Sequence, residues 1–334
     1  VAVGDTSVAI GTSDGYGGYG ITQLAIADND SSEVTFGDYD VTVGSSDGFV
    51  GYGYHVAAVV GNTDSEITLG DVSILNLGFT DVGLAVLAVT DNNDSTITIG
   101  DVTLDGGSLS GVGVVDNTDS TITIGDVSLT GAGGIVIYDN EDSTIEIGAV
   151  VQEGSSDSLG GYYGDLISLA IVDNGSDAGM RITIESFTST LGYTDAVVLI
   201  DNNDDVSITI GDIKMSDMAT VDFLVTDNQN ATIHLGNVTL SATDNVSFTV
   251  TDNYAAGITI SDVELSASSV SFDITDNDSA TVTVGDIDVT ADSSFDLDVT
   301  GSNTDEVVTL GDISVDLSES GSTVDIYLDT VRGA

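Results

Sequence analysis

Aspartate preceded by glycine recurs along the chain at Asp38, Asp71, Asp101, Asp126, Asp212, Asp286 and Asp312, and Asp262 holds the same place after a serine. Stacked about 4.8 Å apart, as equivalent positions of a repeat would be, neighbouring carboxylates repel by roughly 0.9 kcal/mol even in water. Backbone amides, splayed rotamers or cations could relieve such a ladder. The only basic residues are Arg181, Lys214 and Arg332, so the sequence points to relief from outside the chain. Calcium takes six to eight oxygen ligands and suits Asp and Asn clusters. Asp71, Asp101, Asp126, Asp212, Asp286 and Asp312 are therefore the candidate calcium ladder. Neither the DxDxDG loop nor the GGxGxDxUx nonapeptide is present, and diffuse counterions are the competing reading.

Asparagine repeats as regularly. Asp-Asn steps place Asn92, Asn117, Asn140, Asn174, Asn202, Asn228, Asn253 and Asn277 at one corner of each repeat. Asn tolerates left-handed backbone, and its amide can bond the identical amide in the next repeat, so these eight are expected to form a structural ladder. The glycines of the Gly-Asp corner are expected to supply a bend. Catalysis has little to work with. His55 and His234 lie in different strands, no G-x-S-x-G is present, and repetition makes no aspartate pair singular. The chain reads as a non-enzyme with no certain cofactor.

The elements that position these residues follow from one phrase. Thr90–Leu104 reads TDNNDSTITIGDVTL, and variants of it recur with a basal spacing near 25 residues. Twelve Gly-Asp steps or aligned substitutes run from Gly4 to Gly311. Within a repeat the period is two: Phe295, Leu297 and Val299 share one face, and Ser294, Asp296 and Asp298 the other. The pattern predicts an all-β fold, a single parallel β-solenoid over residues 1–334, with about twelve coils of about 25 residues and three short strands each. Absence of proline fits strands that donate on both sides. Insertions rich in Gly, Ser and Tyr at 11–20, 44–54 and 154–165 break the period. They read as surface loops or as a cover for a neighbouring face.

A net charge of −53 on 334 residues opposes binding to nucleic-acid phosphates and anionic lipids. A hydrophobic content of 41% is too high for a disordered acidic chain. No run of about 20 uncharged apolar residues is available to span a membrane. The chain lacks cysteine and opens at Val1 without a basic leader, as a processed secreted protein would. In the middle repeats the outward face before the Asp-Asn step is apolar at Val115, Tyr138, Val172 and Ile200. A strand apolar on both faces is covered on both, so these four are the candidate interface.

At class level the repeats resemble those of secreted bacterial and archaeal solenoid surface proteins, either adhesins or pilus-system fibre proteins with Ile-Gly-Asp repeats. That resemblance implies an extracellular, cell-surface, structural or adhesive role; the alternating, strand-like first and last residues, VAVGDTSVAI and STVDIYLDTV, are in turn expected to favour end-to-end strand augmentation between copies into a filament. An outward threonine row (Thr68, Thr98, Thr123, Thr209, Thr259 and Thr283 among others) resembles the face of solenoid antifreeze proteins. The alternative is thus a monomeric calcium-dependent adhesin or ice-binding module.

Overall fold

The computed structural model describes residues 1–11, 19–44, 52–76, 82–154, 166–192, 194–301, 305–318 and 321–329. The chain divides into two compact units, Val1–Tyr162 and Tyr163–Ala334. Among the described residues every regular element is a strand. The insertions at 11–20, 44–54 and 154–165 lie largely outside the described residues.

In the first unit the strands form three parallel ranks. The short rank follows the Asp-Asn step: Glu33–Phe36, Glu66–Leu69, Thr96–Ile99 and Thr121–Ile124 pair in that order, with Ala2–Val3 before them and Thr144–Glu153 after. A second rank follows the Gly-Asp step, through Thr6–Gly11, Tyr39–Gly44, Val72–Asn76, the start of Val102–Val115, and Val127–Ala132. A third precedes the Asp-Asn step, through Tyr19–Ala27, Tyr52–Val60, Val82–Thr90, the end of Val102–Val115, and Ile135–Tyr138. The second unit repeats the scheme. Four of its strands, Ile213–Thr226, Val238–Thr251, Val263–Thr275 and Ile287–Thr300, each run through the second and third ranks. Each unit is a parallel β-helix-like repeat fold.

Register explains the alternation. Ile67, Ile97, Ile122 and Ile145 stand in line and are fully buried, while Thr68, Thr98 and Thr123 beside them face outward. β-branched residues suit this pleated surface, and identical neighbours let the methyl groups nest from repeat to repeat. In the second unit the buried column includes Phe223, Phe248 and Phe272, whose rings stack 4.8 and 4.7 Å apart and within 3° of parallel. The spacing of stacked rings and the spacing of paired strands are the same length, so one register satisfies both.

Two expectations fail by one residue at Asp201-Asn202-Asn203. Ile200 is fully buried rather than outward, and Asn202 does not hold the inward corner position. Asp201 pairs with Thr226, the residue before the next turn, so the turn begins one residue later than the first Asp-Asn reading implies. A one-residue shift in a strand exchanges its two faces.

Candidate functional site

The Gly-Asp corner builds a carboxylate row in each unit. The Asp71 N–H donates to Asp38 Oδ1 at 3.0 Å, Asp101 N–H to Asp71 at 2.9 Å, and Asp126 N–H to Asp101 at 3.0 Å. Ala149 N–H closes the series on Asp126. In the second unit Asn237 N–H donates to Asp212, Asp286 N–H to Asp262, and Asp312 N–H to Asp286. Each of these carboxylates therefore accepts a backbone amide from the next repeat. Relief of the ladder comes at least in part from within the chain, a correction to the sequence-based expectation that it must come from outside.

The same geometry accounts for the glycines. A Cβ at Gly70, Gly100 or Gly125 would lie less than 3.0 Å from Oδ1 of Asp38, Asp71 or Asp101 in the preceding repeat. None of these glycines has a positive φ, so they provide room for a carboxylate rather than a left-handed bend. Among the described residues no group of three or more His, Cys, Asp or Glu converges as a metal site. The calcium ladder of Asp71, Asp101, Asp126, Asp212, Asp286 and Asp312 thus rests on the charge of the row alone.

The Asp-Asn corner is a turn with two left-handed residues. Asp91, Asp116, Asp139, Asp227, Asp252 and Asp276, at φ between 53° and 57°, take the first. The aspartate, not the asparagine, is left-handed, which corrects the role assigned from sequence. The asparagine that follows turns inward and is buried. Asn92 Nδ2 donates to Asn117 Oδ1 at 2.8 Å and Asn117 Nδ2 to Asn140 Oδ1 at 2.9 Å. Each also donates to main-chain carbonyls, as Asn117 does to Val89 and Val115. In the second unit the row is Asn174, Asn203, Asn228, Asn253 and Asn277. Asn203 therefore replaces Asn202, which itself takes the left-handed position at φ 51°.

Sequence reasoning left Asn62 out of this row, because Gly61 (φ 66°) stands where an aspartate was sought. A second row went unread. Ser65, Ser95, Ser120 and Ser143, three residues after each asparagine, are buried. Ser95 Oγ accepts the Ser65 N–H and donates to the carbonyls of Asn62 and Asn93. The recurring Asp-Ser of the turn was its signal.

The outward rows differ by unit. Before the turn, Val60, Thr90, Val115 and Tyr138 stand in line in the first unit; Val115 is half-buried and Tyr138 exposed. In the second unit Val172 begins the equivalent row, half-buried, and Asp201, Thr226, Thr251, Thr275 and Thr300 continue it.

Titration behaviour follows burial. Desolvation, then the charges of Asp227 and Asp173, raise the Asp201 carboxyl above its ordinary range against a lowering backbone hydrogen bond at Asn202. Desolvation raises Asp273, with Ser271 opposing and Asp296 and Asp298 adding to the shift. Asp116 is raised by desolvation, by a hydrogen bond with Asp139, and by the charges of Asp139 and Asp91. His55 is fully buried in the first unit. Its Nδ1 bonds Thr22 Oγ1 at 2.8 Å, its Nε2 has no partner among the described residues, and desolvation lowers its pKa. His234 is exposed in the second unit, in the threonine row between Thr209 and Thr259. No protein-family model matches the chain, and no curated protein or solved structure is significantly similar to it.

Proposed function

We propose that the chain is a non-enzymatic structural subunit of an extracellular filament that grows by strand augmentation between copies. In this reading the repeats wind as one solenoid of about twelve coils, each of about 25 residues and three short strands. One observation carries it. Successive repeats join strand to strand in one register, Ile97 against Ile122 and Phe248 against Phe272, so like inner residues meet across the joint and the same pairing can recur between copies. An unpaired strand edge continuous with an apolar column is a template for another strand. A charge of −53 keeps the copies from binding nucleic acid and makes their association depend on salt. Cations, calcium included, would act by screening that charge. Electron microscopy of the concentrated protein tests the proposal. Uniform filaments in moderate salt are expected; dispersed particles at every salt concentration would exclude it.

A second reading rests on the in-register outward threonines Thr68, Thr98 and Thr123. Inhibition of ice recrystallisation that is lost in Thr98→Leu would favour an ice-binding module over a filament.

A further inference from the structure

The outward face of the third rank in the first unit carries no charge among its described residues, in a chain of net charge −53. The other two ranks of the unit turn acids outward, Glu66 and Glu146 from the short rank and Asp40 and Glu153 from the second. Relief on the uncharged face runs in rows. Ala58, Ala88 and Gly113 stand in line as a shallow trough. Val56 and Val86 form a ridge on one side of it. Val60, Val115 and Tyr138, interrupted by Thr90, form a ridge on the other. At the far margin Tyr54 and Leu109 are 55% and 42% exposed. Rows on one face lie about 6.6 Å apart and strands about 4.8 Å apart, so four rows on four strands cover roughly 500 Å². An uncharged sheet patch of that size, rimmed by acids, marks a contact surface.

We propose that two copies pair through this face, sheet against sheet, about a twofold axis that runs along the stack of strands. Charge and relief choose that axis together. Asp91, Asp116 and Asp139 follow Thr90, Val115 and Tyr138 in the chain and are exposed along one edge of the face. A twofold axis along the strands would set the two acidic edges against each other. The axis along the stack reverses the strands across the joint and places each acidic edge over the other copy's opposite margin, at Tyr54 and Leu109. The same operation sets Val86 of one copy over Ala88 of the other, and Val56 over Ala58, so each ridge enters the other's trough. Sheets packed in this way stand about 10 Å apart and would bury about 1,000 Å² over both copies, the least that a specific interface needs. A second copy is thus the partner whose charge and relief both match. Pairing of this kind is lateral, so it goes beyond end-to-end growth and does not depend on it.

Sedimentation velocity of the dilute chain in moderate salt, which screens the acids, tests the pairing. A monomer–dimer equilibrium is expected. Ala88 is half-buried and outward. Ala88→Asp should raise the dimer Kd at least about tenfold, because each copy would bring an unpaired charge into the joint. The monomer's melting temperature should change little. The register has its own test. Ala88→Val sets valine over valine and should weaken pairing at least about fivefold. The double variant Val86→Ala/Ala88→Val exchanges ridge and trough, and should return the Kd to within about threefold of the unaltered chain. Stronger pairing in Ala88→Val would mean that trough meets trough about the other axis, and would overturn the proposal. So would a dimer indifferent to Ala88→Asp, or a chain that stays monomeric at every salt concentration. A markedly lower melting temperature for monomeric Ala88→Asp would show that a segment of the same chain already covers the face, and would also overturn it. End-to-end growth, read as species larger than a dimer, would survive each of these results except a chain that never associates, so this pairing can fail while the filament reading stands.

Discussion

The two units make the same turn with different interiors. Both bury a row of asparagines bonded amide to amide. Three residues later the first unit buries serines, and the second buries Val206, Ala231, Ala256 and Ala280. In the first unit each serine hydroxyl accepts an N–H and donates to main-chain carbonyls. Among the described residues the N–H groups of Ala231 and Ala256 meet no such hydroxyl, since alanine stands at the next turn. The outer face changes in the opposite sense, from a row of Val60, Val115 and Tyr138 interrupted by Thr90 to one in which Val172 is followed by Asp201, Thr226 and Thr251. Polar groups have thus moved from the inner face of the turn to the outer face of the preceding strand. The asparagine row is common to both units, whereas the serine row belongs to one of two interiors the turn can accept.

The largest effects should fall on what the units share. Ile97 and Ile210 occupy the buried column of the short rank, one in each unit. Ile97→Asp and Ile210→Asp would each place an unpaired charge among apolar side chains, with an expected loss above about 4 kcal/mol. Thr98→Asp and Thr209→Asp, one residue away and outward, should each cost less than about 1 kcal/mol. Chemical denaturation of the four variants decides the matter. Equal losses within a pair would refute the inward register.

Much of this was legible in the sequence because strand periodicity is short and exact repeats reinforce it. The alternation at Thr96-Ile97-Thr98-Ile99 assigned faces correctly across both units. Errors arose where a motif could be read in two frames. Asp201-Asn202-Asn203 offers two Asp-Asn-like steps, and only the pairing of Asp201 with Thr226 chooses between them. The reason for glycine in Gly-Asp was hidden for another cause. The atom that excludes a side chain at Gly100 belongs to Asp71, 29 residues earlier, and no local propensity reports it.

The difference between the turns should give a smaller, reciprocal effect. Ser120→Ala removes the acceptor of the Ser95 N–H and leaves the Asn92 carbonyl with one donor fewer. A loss of about 1–3 kcal/mol is expected for buried groups left unpaired. Ala256→Ser makes the reverse change. Its hydroxyl would face the Ala231 N–H, and a gain of up to about 1 kcal/mol is expected. Destabilisation by Ala256→Ser would mean that the second unit has no space for the hydroxyl, so the two interiors could not be exchanged.

The smallest effect is a difference in sign with pH. Asp201 and Asp273 in the second unit have folded pKa values above their ordinary 3.8. The unfolded chain releases these protons first as pH rises. Their contribution is therefore fully present below the ordinary value and lost as pH climbs through the folded one. Acidification from neutrality should accordingly stabilise the second unit. His55 in the first unit behaves oppositely. Its folded pKa lies below 6.5, so its contribution is present above that value and lost as pH falls through the folded one. Asp116, at the solvent-exposed corner of the first unit, should oppose this only weakly. Hydrogen exchange followed by peptide, from pH 7 toward pH 4 and corrected for intrinsic rates, should show protection rising around Phe272 and falling around Val59. Asp273→Asn should flatten the first trend and His55→Leu the second. Parallel trends in the two units would mean that the overall charge of −53, rather than the half-buried aspartates and buried His55, governs the acid response.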